Sequence, residues 1–113
     1  MCTQNQAMSI FREVYNACDV LYDRRITDAY LYGSYARGDY HEGSDIDILL
    51  AVSLDRSELS KYRRKLASII SDLSLEHDIT VSVTVKPSDQ FHQYANVLPY
   101  YSNVIQEGIR YAN

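Results

Sequence analysis

The chain has 113 residues, a formal net charge of −4 at pH 7 and a sequence pI near 5.2. That length buries one core and not two, so a single domain over residues 1–113 is expected. The acidic balance argues against a general nucleic-acid binder, whose affinity comes mostly from neutralising phosphates, and no apolar run approaches the ~20 residues of a membrane-spanning helix.

The remaining composition is that of an ordinary globular protein, 46% hydrophobic and 23% charged. The first residues lack the charged-then-apolar pattern of a secretory signal. Cys2 and Cys18 have no CxxC spacing. Two free thiols in a reducing cytoplasm are expected, and a cytoplasmic location with them. Tyrosine is in excess, 11 against 2 Phe and no Trp, which suits half-buried positions or an interface.

Met8, Phe11, Tyr15, Cys18 and Leu21 or Tyr22 recur at spacings of three and four, which predicts an amphipathic helix over residues 4–23. Residues 27–32 read as a strand ending at Gly33. Ser34 stands where a helix N-cap would stand, and Tyr35-Ala36-Arg37 supplies one turn before a loop at 38–44. Residues 45–52 read as a central strand, polar at its entrance and apolar at its far end. Ser53 to Leu73 reads as one helix with Leu59, Tyr62, Leu66, Ile69, Ile70 and Leu73 as its core stripe, and with Lys61, Arg63, Arg64 and Lys65 as a basic face. Asp78 to Val85 alternates cleanly and reads as a strand. A helix with Phe91 and Tyr94 follows, and after Pro99 a last one with Tyr101, Val104, Ile105 and Ile109. The order predicts an α/β (α+β) domain with a small mixed sheet and flanking helices.

Two elements carry chemistry. Asp45 and Asp47, two apart on a strand, put their side chains on one face about 6–7 Å apart. Carboxylates held that close repel unless a cation lies between them, and hard oxygen ligands suit Mg²⁺. Gly33 lets backbone approach a ligand closely. Ser34 and the amides after it form an anion-binding arrangement. An anion site beside a metal site describes a nucleoside triphosphate held by its phosphates and its magnesium, and the chemistry is then phosphoryl or nucleotidyl transfer. The bland alternatives are solvated charge for the aspartates and an ordinary turn for Gly-Ser. His41, His77 and His92 show no metal-ligand spacing. Tyr35 reads as packing before it reads as a platform for a base.

The pattern Gly33-Ser34, ten residues, then Asp45-Ile46-Asp47 resembles the signature of the polymerase-beta-like nucleotidyltransferase superfamily. Tyr35-Ala36-Arg37-Gly38-Asp39, Ser44 and the tail Leu98-Pro99-Tyr100-Tyr101 to Glu107-Gly108-Ile109 are similar to its minimal nucleotidyltransferases, many encoded beside a HEPN-domain ribonuclease toxin. The resemblance implies a nucleotidyltransferase-like fold and nucleotide binding by Gly33, Ser34, Arg37 and Ser44. It also implies Mg²⁺ on Asp45 and Asp47, and transfer of AMP from ATP to a hydroxyl. In antitoxin members that hydroxyl belongs to a tyrosine of the partner toxin, so a HEPN partner and a homo- or hetero-oligomer are implied.

One departure stands out. Active members carry a third carboxylate on a neighbouring strand, where this chain has Thr80 and Ser82. Asp78 shares their parity, about 13 Å along the strand from Ser82, and it or Glu76 would have to reach the site from the strand's mouth. The expected function is therefore a Mg²⁺-dependent enzyme that AMPylates a protein. The alternative is a module of the same fold that regulates a partner by contact. A processive polymerase is excluded by the absent basic surface and template-holding domain. A small-molecule nucleotidyltransferase would need a further domain or a dimer to build an acceptor pocket.

Overall fold

The computed structural model of the chain describes residues 2–111. Among them the order is α1 (Gln4–Leu21), β1 (Ile26–Tyr32), α2 (Ser34–Arg37), β2 (Ile46–Val52), α3 (Arg56–Ser60), α4 (Arg63–His77), β3 (Val81–Pro87), α5 (Ser88–Tyr94), α6 (Pro99–Glu107) and β4 (Ile109–Arg110). The strands form one mixed sheet of order β3-β2-β1-β4. Strand β1 is antiparallel to both β2 and β4, and β2 is parallel to β3.

Helix α1 starts on a capping box. The Thr3 hydroxyl accepts the Gln6 amide at 3.1 Å, and the Gln6 side chain accepts the Thr3 amide at 2.7 Å, which satisfies two of the donors a helix start leaves open. Its buried stripe is Ala7, Ile10, Phe11, Val14 and Cys18. It ends where Asp23 and Arg24 turn to positive φ, 54° and 60°. Both cysteines are free, and burial pushes the Cys18 thiol up to about 12.

Strand β2 is the axis of the molecule. Ile46, Ile48, Leu50 and Val52 face α1 and α4, where they join Leu31, Val81, Phe11 and Val14 in the larger core. Leu49 and Ala51 face α5 and α6, where they meet Tyr30, Phe91, Tyr101 and Val104. A strand covered on both faces has no polar side to show, which explains its unbroken apolar run. Asp47 shares the parity of Leu49 and Ala51, so it lies on the α5/α6 face, at the end those helices leave open.

Three sequence expectations need correcting. The helix expected over Ser53–Leu73 is two helices, α3 and α4, divided at Lys61-Tyr62. Asp55 caps the first, in a capping box with Glu58. The strand expected from Asp78 begins at Val81, because α4 continues to His77 and Asp78 caps it in the left-handed region at φ 52°. Ile109 belongs to β4, which pairs with β1, and not to the last helix.

Candidate active site

Gly33 ends β1 with φ 79° and ψ −156°, a conformation that costs glycine little and other residues much. It is itself the N-cap of α2, and Ser34, expected as the cap, is the first helical residue. The amides of Ala36 and Arg37 both close on the Gly33 carbonyl at 3.1 Å. Gly38 ends the turn in the left-handed region at φ 90°. The buried ring of Tyr35 anchors the turn by stacking on Tyr40 at 4.5 Å, and the Gln4 side chain donates to the Tyr35 carbonyl at 2.9 Å. Tyr35 is thus part of the packing.

Strand register brings the aspartates to this turn. Asp47 stands opposite Tyr32 on β1 and opposite Ser82 on β3. Its carboxylate lies directly against Gly33, where a Cβ would stand 2.5 Å from Asp47 Oδ2. Partial burial, then the charge of nearby Asp45, raises the Asp47 pKa, and Arg37 opposes the rise. Asp45 is exposed, one residue ahead of β2. A half-buried carboxylate pushed up by a second one is short of positive charge. Asp45 does not line the cavity beside Gly33, but its charge reaches Asp47, and two such hard oxygen donors fit a divalent cation such as Mg²⁺.

A cavity of about 410 Å³ opens on this corner, lined among others by Gly33, Ser34, Arg37 and Asp47. Four of the residues expected from sequence therefore meet in one cleft. Arg37 lies between two carboxylates there, at 3.2 Å from Asp39 and 3.4 Å from Glu107. Ser44 does not line the cleft. Its hydroxyl accepts the His41 amide at 2.9 Å and shapes the 38–44 loop. Asp78 lies elsewhere, in a separate cavity with Cys2, Tyr35, Glu42 and His77. Its carboxylate is off β3, because Asp78 caps α4.

The cleft also holds residues that motif reading does not reach. Tyr32, Tyr100, Asn103 and Glu107 line it. The hydroxyls of Tyr32 and Tyr100 are hydrogen-bonded at 2.8 Å. Burial, then that bond to Tyr100, raises the Tyr32 pKa, so its phenol stays protonated. The surplus of tyrosine was the available signal, but composition does not say which tyrosines gather at one cleft. Among the described residues one further group could hold a cation: exposed Glu13 and Glu76 with His77, on the opposite face of the sheet. There His77 is already hydrogen-bonded to Glu13.

The close approach at Gly33 gives a direct test. Gly33→Ala places a methyl group against the Asp47 carboxylate and puts a side chain in a positive-φ site, a strain of about 1–3 kcal/mol. We expect a folded but destabilised protein in which binding of Mg²⁺ and ATP, the ligands that the sequence resemblance implies, is weakened at least tenfold, about 1.4 kcal/mol. Calorimetry alongside thermal melting measures both. Unchanged binding would show that the turn does not hold Asp47.

Residues 12–112 match the family model described as the nucleotidyltransferase domain. Two proteins of Methanocaldococcus jannaschii, provisionally designated protein adenylyltransferases MJ0604 and MJ0141, are similar in sequence. The first is 33% identical over 97 residues, 86% of this chain and 89% of its own length. The second is 34% identical over 77 residues, 68% of this chain and 76% of its own. Two solved structures of the toxin–antitoxin pair MntA-HpeT share the fold at 17% identity. A variant with two Asp→Glu changes superposes with TM-score 0.53 over 96% of this chain and 71% of that one. A Tyr→Ala variant superposes with TM-score 0.54 over 100% and 74%.

Proposed function

We propose a function from the premise that this chain belongs to the nucleotidyltransferase domain family: it transfers AMP from ATP to a hydroxyl of a partner protein, in a Mg²⁺-dependent reaction. The observation that carries this reading is the seating of Asp47 against Gly33 in one cleft, with Ser34 and Arg37 beside them. The designation of both archaeal relatives as protein adenylyltransferases supports a protein acceptor. The toxin–antitoxin neighbours motivate the finer reading that the acceptor is a tyrosine of a HEPN ribonuclease and that this chain is its antitoxin. Residues 1–113 act in this reading as one minimal nucleotidyltransferase domain in the cytoplasm. No helix of the described residues is long and apolar enough to cross a membrane.

Asp45 and Asp47 would hold the cation, which supplies charge neutralisation at the phosphates. The Ser34 and Tyr35 amides and the Ser34 hydroxyl, beside Gly33, receive the triphosphate, since the amides of Ala36 and Arg37 are already bonded to the Gly33 carbonyl. Arg37 gives the cleft a positive edge, and Asp39 and Glu107 hold its guanidinium in place. The acceptor oxygen forms a bond to the α-phosphorus, the α–β bridging bond breaks, and pyrophosphate leaves. Among the described residues β3 supplies no carboxylate for the acceptor proton, since Ser82 faces Asp47. A serine hydroxyl is no base at neutral pH, so the proton passes to solvent and the rate rises with pH toward the acceptor's own pKa.

The test is labelled ATP, Mg²⁺, this protein and the product of the neighbouring gene. Label on a partner tyrosine is expected. Tight association with no label would instead favour the contact-only reading, for which the serine opposite Asp47 is the specific observation.

A further inference from the structure

A second cavity, of about 500 Å³, opens at the other end of the sheet. Its polar lining is Arg56 and Ser60 of α3, Arg63 of α4, Lys86 of β3 and Gln90 of α5. The rest of its wall is mainly apolar, drawn from α3, α4 and β3. It shares no residue with the Gly33–Asp47 cleft. Lys86 pairs in register with Ala51, while Ser82 pairs with Asp47. Four strand residues, about 13 Å, therefore separate the two ends.

The charge balance of this cavity is unusual for an acidic chain. No carboxylate lines it. Among the described residues Arg56, Arg63 and Lys86 form no ion pair, as is true of most cations of the chain, but these three gather around one hollow. Three like charges around one hollow repel each other, and an anion between them removes that repulsion. Two guanidinium forks and an ammonium match the oxygens of phosphate groups. The volume lies within the range of small-molecule sites, and the apolar walls suit an organic portion.

We propose that this cavity is a second binding site, for a phosphorylated small molecule of nucleotide size. A long polyanion fits less well. The adjoining hollow, which shares Arg56, Pro87 and Gln90, is lined by Asp55, Glu58 and Asp89. Positive potential therefore stops at the cavity mouth on that side. Lys61, Arg64 and Lys65 do not line the cavity.

Amide chemical shifts of the native protein, followed without Mg²⁺ during titration with inorganic pyrophosphate and then ATP, test the proposal residue by residue. The expected result is a saturable response at Ser60, Arg63, Lys86 and Gln90. Arg63→Ala and Lys86→Ala should each weaken it about tenfold or more, and salt should weaken it further. Arg63 is exposed and Lys86 half-buried with no ion pair among the described residues, so melting temperature should move little. A response confined to Gly33–Arg37, or one that does not saturate and ignores both substitutions, overturns the site. Tighter binding of an RNA oligonucleotide than of ATP, lost in the same variants, overturns the small-molecule class.

Discussion

Replacing Asp47 with Asn should lower AMP transfer by about 10²-fold or more, and should at the same time raise the melting temperature of the metal-free protein at pH 7. Both effects come from one carboxylate. Partial burial and the charge of Asp45 raise its pKa above the ordinary 3.8. The folded state therefore binds the proton more tightly than the unfolded state does, so stability falls as pH rises from about that ordinary value through the raised one. At neutral pH the full penalty of the buried charge is present, and an amide of the same shape removes it. The gain in melting temperature should shrink as pH falls through the same window, because the native carboxyl is then protonated too. Adding Mg²⁺ should reverse the ranking, because a cation that binds only the native form stabilises only the protein that can hold it. Label transfer measured beside thermal melts with chelator and with Mg²⁺ separates these effects. A variant that melts lower without metal would mean that Asp47 is satisfied by the protein alone.

Ser82→Asp should move activity the other way. Ser82 is exposed and directly opposite Asp47 in a parallel register, so an aspartate there adds a carboxylate on the same face with little cost to packing. A positioned general base contributes roughly 10²–10⁴-fold. A newly introduced one, with unoptimised geometry, should raise transfer at pH 7 about tenfold, short of that full contribution. The native rate should climb with pH, and the variant's profile should be flatter, because an ionised base is present from mildly acidic pH upward. Ser82→Asn is the control for shape without charge and should leave the rate near native. If aspartate and asparagine behave alike, removal of the acceptor proton does not limit the reaction. A drop in Mg²⁺ affinity would show that a third negative charge disturbs the aspartate pair.

Much of this arrangement can be read from residue order. Gly33-Ser34 and Asp45-x-Asp47 fall at strand ends, and alternation of two puts both carboxylates on one face. Apolar spacing located α1, β1, β2 and α6 within a few residues. What could not be read had physical causes. The pattern of Leu59, Tyr62, Leu66 and Ile70 continues through the break between α3 and α4, since both pieces cover the same side of the sheet. Asp78 alternates with Thr80 and Ser82, yet its backbone is in the left-handed region and caps a helix. Side-chain alternation carries no mark of where a helix hands over to a strand. The tyrosines of the cleft come from β1 and α6, far apart in the chain, and only the sheet order brings Tyr32 beneath Tyr100.

The central place of β2 has a consequence for motion. Its residues from Ile48 to Val52 are fully shielded and bonded on both sides, whereas α4 has no fully buried residue and β3 is an outer strand. Local opening is therefore graded across the sheet, and amide hydrogen exchange should be slowest in β2 and faster in α3, α4 and β3. Asp47 sits on the least-yielding segment of the chain, while Ser82, across from it, belongs to one that opens more readily. The two walls of the cleft thus differ in stiffness: one holds its carboxylate fixed, and the other can give way to whatever enters beside it.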